Sequence, residues 1–369
     1  MKILYDHQIY DTQKVGGISR YFSELMKFNS FSELSLNYTN NIYLQDKYFQ
    51  NYNIQYNYFD NFFFHLKFRG KTRLFNLYNK LSHKDNKSIS KNYLKKSNFD
   101  IFHPTYYDPY FLNYLKKKPF ILTIHDMIHE LFKEYFISDI KTIKNKKRLI
   151  FAANRIIAIS ENTKKDIIKL FPAVKEKITV IYHGSSFQQI NEDIPKNNYI
   201  LFTGAREIYK NFNSFLQAIA PLLIKYNLNL ICTGQPFTHN EKKLINNLQI
   251  KDKISFIFAS ESQLLELYSK ATAFVFPSLY EGFGIPVLEA FASNCPAIIS
   301  NTSSLPEIGG DAAVYFDPYS IDDMRNTIEL VITSPELQKE MIKKGKELVK
   351  QFTWEKCARE TMEVYKSLL

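Results

Sequence analysis

The sequence predicts an α/β protein of two Rossmann-like, doubly wound domains facing each other across a cleft. Three observations carry this reading. Short apolar runs alternate with amphipathic stretches, which implies parallel strands joined by right-handed helical crossovers. The alternation stops at a polar stretch, Glu192 to Asn198, and then restarts. Glycines stand where strands end, the place at which doubly wound sheets bind ligands. The chain of 369 residues is long enough for two cores. The expected division is a first domain over 1–190, a linker over 191–198 and a second domain over 199–351.

Ile3 to Tyr5 reads as the first strand. Gly16 and Gly17 then lead into an amphipathic helix with Ile18, Tyr21, Phe22 and Leu25 on one face. Residues 30–97 are hard to read: strand-like Ile54 to Phe59, the run Phe62-Phe63-Phe64, and a basic helical stretch from Lys71 to Leu81. Phe120 to Ile124 is a buried strand ending at His125-Asp126. A histidine there can donate to a phosphate or sugar oxygen while the neighbouring aspartate orients its ring; a packed histidine beside a capping aspartate fits the same residues. A basic helix over Lys141 to Arg148 precedes the strand Arg155 to Ile159. Ser160 or Asn162 starts the next helix, and Ile178 to Tyr182 is a strand.

The second series opens with strand Tyr199 to Thr203 and the loop G-A-R-E-I-Y-K-N. Arg206 and Lys210, four apart, are spaced to converge on one anion, or to be two surface cations. Helix Asn213 to Tyr226 leads to strand Asn229 to Thr233 and Gly234, beside which a base or ribose can pack. A helix around Glu241 to Leu248, strand Ile254 to Phe258, helix Glu261 to Ala271 and strand Ala271 to Phe276 follow. The run Phe276 to Pro296 (F-P-S-L-Y-E-G-F-G-I-P-V-L-E-A-F-A-S-N-C-P) is then a strand end, a glycine loop and a helix. Gly282 and Gly284 allow close backbone approach and positive φ, and Pro286 suits a helix start. The free N–H groups at that start favour phosphate. Glu281 and Glu289 are placed to hold a sugar hydroxyl and a ribose diol, or simply to cap the helix and meet solvent. Strands around Ala297 to Ser300 and Ala313 to Phe316 close the series.

Composition narrows the classes. The net charge of +11 points to an anionic partner. From Asn51 to Asp100 ten cations (Lys67, Arg69, Lys71, Arg73, Lys80, Lys84, Lys87, Lys91, Lys95, Lys96) meet three aspartates, and aromatics are interleaved. An anionic membrane surface bound through 62–96 fits this, as does a solvated helix face; nucleic acid is disfavoured. Cys232, Cys295 and Cys357 lack metal-ligand spacing and read as reduced core thiols of a cytoplasmic protein. No apolar run is long enough to span a bilayer. No Walker-type loop argues for a kinase, no dinucleotide fingerprint for a dehydrogenase, and no His/Cys cluster for zinc.

The string E-G-F-G-I-P-V-L-E after a buried strand resembles the E-x7-E signature of retaining GT-B glycosyltransferases of family 4, and the resemblance extends from Gly16 to Trp354. It implies that Glu281 lies by the donor sugar and that Glu289 holds the nucleotide ribose. It further implies a donor site including Gly16, Gly17, Gly204, Gly234, Gly282, Phe283, Gly284 and Ile285, with His125 in the donor pocket. Arg206 and Lys210 would neutralise the diphosphate; many members place the arginine directly after the glycine, where this chain has Ala205. Thr302 to Glu307 resembles a loop that closes over the nucleotide, and 352–369 is expected to return to the first domain. The implied activity is retaining, metal-independent hexosyl transfer from a nucleotide diphosphate sugar, with no cofactor, to a glycan or lipid-linked glycan. GDP-mannose is favoured over UDP-glucose because G-x-R-x-x-Y-K-N resembles mannosyl-transferring relatives. A sucrose- or glycogen-synthase-like enzyme and a non-catalytic nucleotide-sugar- or glycan-binding subunit are the alternatives.

Overall fold

The computed structural model describes residues 1–52, 54–56, 86–136, 139–185, 187–192 and 194–369. The expected helix over Lys71 to Leu81, the Phe62-Phe63-Phe64 run and most of the basic segment 62–96 lie outside them. The chain divides into two compact units: Met1–Ala158 with Asp166–Ile181 and Trp354–Leu369, and Ile159–Lys165 with Tyr182–Thr353.

The first unit holds β1 (Ile3–Tyr5), β2 (Ser32–Leu34), β3 (Tyr38–Thr39), β4 (Gln55–Tyr56), β5 (Ile101–His103), β6 (Ile121–Ile124), β7 (Arg155–Ala158) and β8 (Ile178–Val180). Two parallel sheets, β2-β1-β5 and β6-β7-β8, are joined by a bridge from Phe102 to Phe120; β3 and β4 form a separate parallel pair. The terminal helix Trp354–Lys366 packs in this unit, burying Cys357, Val364 and Tyr365. A chain of buried hydroxyls and one imidazole ties it in. Tyr21 meets Thr123 at 3.1 Å, Thr123 meets His103 Nε2 at 2.9 Å, His103 Nδ1 meets Tyr365 at 2.7 Å, and Tyr365 meets Tyr5 at 2.8 Å. Burial pushes the His103 pKa down to about 3, so its ring is neutral and bonds as both donor and acceptor.

The second unit holds β9 (Asn197–Phe202), β10 (Asn229–Thr233), β11 (Ile254–Ile257), β12 (Ala271–Phe276), β13 (Ala297–Ser300) and β14 (Ala313–Phe316). All are parallel, in the order β11-β10-β9-β12-β13-β14. The central strands are apolar on both faces: Ile200, Leu201, Phe274, Val275, Ile298 and Ile299 are fully buried, as a sheet covered by helices on both sides requires. One face is covered by helix Phe212–Lys225 and helix Ile321–Ile332, the other by helix Ile285–Ala292.

The division differs from the one expected. The chain passes to the second unit between Ile181 and Tyr182, not at 191–198. Ser185 N–H donates to Phe352 O, Ile190 N–H to Ala292 O, and Lys196 Nζ to the carbonyls of Ser269 and Asn294. Asn197 and Asn198 are already strand. The polar residues taken for a linker satisfy backbone groups of the second unit.

Candidate active site

In the second unit the winding reverses at β9: β10 and β11 lie on one side of it, β12, β13 and β14 on the other. Crossovers to either side leave the loops after β9 and β12 flanking a crevice at the carboxyl ends of the strands, where doubly wound sheets bind ligands. Lys210 follows β9 and Glu281 follows β12. Their side chains meet, Nζ to Oε1 at 2.6 Å, each about one-seventh exposed (15% and 14%). The ammonium also stands 5.3 Å over the Phe276 ring and 5.0 Å over Tyr209. The two loops are tied by Leu279 N–H donating to Tyr209 O. The pair brings together two residues that the sequence assigns to separate tasks.

The glycine loop beyond Glu281 is held by hydroxyls. Ser304 Oγ donates to the carbonyls of Glu281 (3.0 Å) and Phe283 (2.8 Å); Ser160 (2.8 Å) and Thr163 (3.2 Å) donate to that of Gly282. In a trans peptide the C=O and the following N–H point in opposite directions. Fixing these three carbonyls therefore fixes the N–H groups of Gly282, Phe283 and Gly284 as well, each pointing away from the hydroxyl that holds the preceding carbonyl. Gly284 then caps helix Ile285–Ala292 with φ +112°, and a Cβ there would lie 2.9 Å from Leu305 Cδ2. Gly282 has no positive φ; it serves through its carbonyl, which Ser160 and Thr163 hold. Ile285 is half-buried at the first helical position and Pro286 the second. The Phe283 side chain does not face a donor: it packs among Tyr182, His183 and Phe352, so only its main chain is available.

Glu289, on the second turn, is buried, and Tyr268 OH donates to its Oε2 at 3.3 Å while meeting Thr203 at the end of β9 at 3.0 Å. Burial, then the Glu289 carboxylate, drives the Tyr268 phenol far above its ordinary pKa, so it stays a donor. Gly204 and Gly234 both have positive φ (+105° and +110°) and abut: a Cβ on Gly234 would stand 3.2 Å from Gly204 O. Together they keep the mouth between β9 and β10 free of side chains.

Two family models match this chain in succession: Glycosyltransferase Family 4 over residues 64–187 and Glycosyl transferases group 1 over 185–348. A glycosyltransferase of Methanocaldococcus jannaschii is 30% identical over 324 residues, 82% of each chain. The chain belongs to the group 1 glycosyltransferases of family 4. An O-antigen chain mannosyltransferase of Salmonella typhimurium is 31% identical over 216 residues, 58% of this chain and 61% of its own length. Among solved structures, the Anabaena HepE protein, crystallised with UDP and glucose, superposes with a TM-score of 0.75 at 14% identity, with both chains fully covered. The architecture is GT-B, as the motif string implied.

For this glycosyltransferase the structure separates Arg206 from Lys210. Arg206 Nε donates to Glu241 Oε1 at 2.8 Å, Nη2 to the carbonyls of Gln235 and Pro236, and the guanidinium lies 5.0 Å from the Phe237 ring centre. Glu241 is itself the last member of a capping box with Thr238. On a helix the four-residue spacing would put the two side chains on one face, and here Glu207 is extended and only Ile208–Lys210 turns. Arg206 thus clamps the loop after β9 to the loop after β10. Thr302 to Glu307, expected as a lid, supplies the pins: Thr302 donates to Leu279 O, Ser303 Oγ accepts from Glu281 N–H, and Glu307 accepts from the N–H groups of Glu161 and Asn162.

In the first unit Gly16 caps helix Gly17–Lys27 in extended conformation, and Gln13 Oε1 accepts the Ser19 N–H there; a Cβ on Gly16 would collide with Gln13. His125, buried, meets the edge of Tyr21 at 5.3 Å between ring centres, and its N–H donates to Tyr107 OH. Asp126 does more than sit beside this ring: its carboxylate accepts the Ile128 N–H and stands 3.7 Å from Lys146 Nζ. Lys146, fully buried and paired with Glu130 at 3.0 Å, was hidden in a run of lysines. Its register with Leu149, Ile150 and Ala153, all buried, is the signal that marks it as inward-facing.

Proposed function

We propose that this group 1 glycosyltransferase transfers a hexose, with retention, from a nucleotide diphosphate sugar to a glycan or lipid-linked glycan of a surface polysaccharide. The observation that carries the proposal is the Lys210–Glu281 pair at the β9/β12 reversal, beside a glycine loop whose carbonyls are held by hydroxyls. Lys210 and the N–H groups of that loop offset charge on the departing diphosphate; Glu281 orients both Lys210 and a hydroxyl of the transferred sugar; Glu289 holds the ribose. No metal is assigned a part, because a fixed cation and fixed dipoles supply the stabilisation a metal would bring. In the first unit, His125 donates to a substrate oxygen.

Mannose is the preferred sugar, and GDP-mannose the preferred donor, because relatives carry the name mannosyltransferase, including the Salmonella protein and an Escherichia coli O-antigen chain enzyme 28% identical over 288 residues. Peripheral attachment to an anionic membrane face through 62–96 completes the proposal. In the described part of that segment, residues 86–96, Lys87 pairs with Asp108, and Lys91 and Lys95 stand over Tyr114. No helix among the described residues is long and apolar enough to cross a membrane.

The test is a thermal-shift screen of GDP, UDP and ADP sugars followed by NMR of the product. A donor at ~100 times its Kd adds about 2.7 kcal/mol. A GDP-mannose response and an α-configured product from the α-linked donor are expected. A product of inverted configuration would overturn the retaining assignment, and no response to any nucleotide sugar would overturn the donor site.

A further inference from the structure

Helix Ile140–Ala152 carries five cations and no acid, yet its lysines do not behave alike. Lys141, Lys144 and Lys147 are exposed, whereas Lys146 has no exposed surface at all. A buried ammonium is costly unless paired and hydrogen-bonded, and Lys146 is both. Nζ donates to Asp126 O at 3.1 Å and to Glu130 Oε2 at 3.0 Å, stands 3.7 Å from Asp126 Oδ1, and lies 5.0 Å over the Tyr107 ring. Two of these three partners, Asp126 and Tyr107, adjoin His125. Asp126 follows it in the chain, and Tyr107 OH accepts the His125 N–H at 3.2 Å. The ammonium thus fixes the histidine from both ends, through the carbonyl of the next residue and through the tyrosine that holds its amide. On its other side the His125 ring meets the edges of Tyr21 (5.3 Å) and Phe22 (6.0 Å), which stand on the helix that Gly16 and Gly17 open.

We propose that Lys146 is a positioning residue for His125, a buried cation whose task is to hold the His125-Asp126 turn at the end of β6 in one geometry. Hydrophobic residues of the same volume would hold helix and strand together without the desolvation cost. What they would not do is accept the two demands met here, a main-chain carbonyl and a carboxylate on the same turn. Glu130 fits this account. It is almost wholly buried, and its Oε2 balances the ammonium, so the Asp126 carboxylate remains shared between Lys146 and the Ile128 N–H. The inference rests on the proposed role of His125 at a substrate oxygen, and the experiment is built to separate the two.

Lys146→Met alone would strand Glu130 and is expected to lower the melting temperature, which proves little. The informative variant is Lys146→Met with Glu130→Leu, which removes both charges and restores an apolar contact. Nucleotide release from GDP-mannose, and from UDP-glucose, is measured for the wild type, this double variant, His125→Ala and the triple variant. The double variant is expected to melt within a few degrees of wild type yet to lose roughly 100-fold in kcat, the scale of a reacting group displaced by about 1 Å, with KM for the donor changed less than about three-fold. Added to His125→Ala, the same pair of changes should cost nothing further, because the group it positions is already gone. Wild-type turnover in a folded double variant would overturn the proposal, as would losses that multiply with His125→Ala. If His125→Ala itself turns over normally, the substrate role of His125 falls, and the proposal with it. Should neither donor turn over, the His125 ring 1H–13C signal, assigned by its absence in His125→Ala, gives the reading. It should shift or broaden in the folded double variant while the His183 signal stays in place, and an unmoved His125 signal would overturn the proposal.

Discussion

Replacing Lys210 by alanine removes one ammonium from the reversal point of the second sheet, and the structure separates the change into two effects. The first is on stability. Breaking a fully buried ion pair costs about 3–5 kcal/mol, and an exposed one about 0–1 kcal/mol. With both side chains about one-seventh exposed and 2.6 Å apart, a loss of about 2–3 kcal/mol is expected, because Glu281 is left without its cation. At roughly 2–4 °C per kcal/mol for a unit of this size, melting falls by about 4–12 °C. The second effect is on chemistry. Loss of one preorganised donor to developing charge lowers kcat by about 10²–10³-fold. The assay is nucleotide release at saturating donor, at a temperature where each variant is folded. Lys210→Ala with Glu281→Gln then divides the effects. Neutralising the stranded carboxylate should recover most of the stability and none of the turnover. EDTA should leave the wild type largely active. The opposite pattern refutes the reasoning: turnover abolished by EDTA and restored by magnesium or manganese, with Lys210→Ala within about five-fold of wild type.

Arg206→Ala should behave differently from Lys210→Ala, because its guanidinium is committed to Glu241 and two carbonyls: about 3 kcal/mol less stable by urea titration, with kcat within about ten-fold of wild type. A kcat loss as large as that of Lys210→Ala, at full stability, would return Arg206 to the diphosphate. Glu289→Ala should weaken donor binding by about 1.5–3 kcal/mol in calorimetry, and unchanged affinity in a folded protein would sink the ribose assignment. His103 and His183, both pushed by burial to a pKa of about 3, stay neutral in the fold, whereas the unfolded chain protonates them below about 6.5. Stability is therefore undiminished above pH 6.5 and falls as pH drops toward 3, by about 1.4 kcal/mol per pH unit for each histidine. Between pH 6.5 and 5 the His103→Asn variant should lose about 2 kcal/mol less than wild type in urea titrations; parallel losses would show that His103 does not carry this dependence.

Where the sequence was legible, burial on both faces made it so. Ala271–Phe276, Asn229–Thr233, Ala297–Ser300 and Ala313–Phe316 are strands at the bounds their apolar runs suggest, since a covered parallel strand leaves no polar register to misread. The strand expected from Ile178 to Tyr182 ends at Val180: Ile181 N–H still donates to Ala158 O at 3.0 Å, and the chain then passes into the second unit at Tyr182. The linker was misplaced for the converse reason. Lys196 looks solvated in sequence, yet its ammonium caps two buried carbonyls. Within the site, the positive φ of Gly284 and the places of Glu281 in the loop after β12 and of Glu289 on the helix that follows were legible, because they follow from main-chain position. The pairing of Arg206 with Glu241 was not legible, because the four-residue spacing to Lys210 says nothing of a partner 35 residues on. The hydroxyl pins from Ser160, Thr163 and Ser304 carried no signal, as serines distant in sequence announce nothing about the carbonyl they will meet.

Those pins decide what the glycine loop is able to do. A flexible loop with three free carbonyls and three free amides presents no net preference to an anion, since either end of each peptide can turn outward. Three carbonyls held by four hydrogen bonds remove that freedom before any ligand arrives. The amides of residues 282–284 are then fixed dipoles at a helix start, and their orientation is set in the fold, so in the proposed reaction the transition state would not have to reorganise them. Lys210 is fixed in the same sense, by Glu281 on one side and the rings of Phe276 and Tyr209 on the other. A cation held this way keeps its charge but loses its mobility. That is the condition under which a single lysine matters to kcat: a freely moving ammonium would bind ground state and transition state alike, and would lower KM alone.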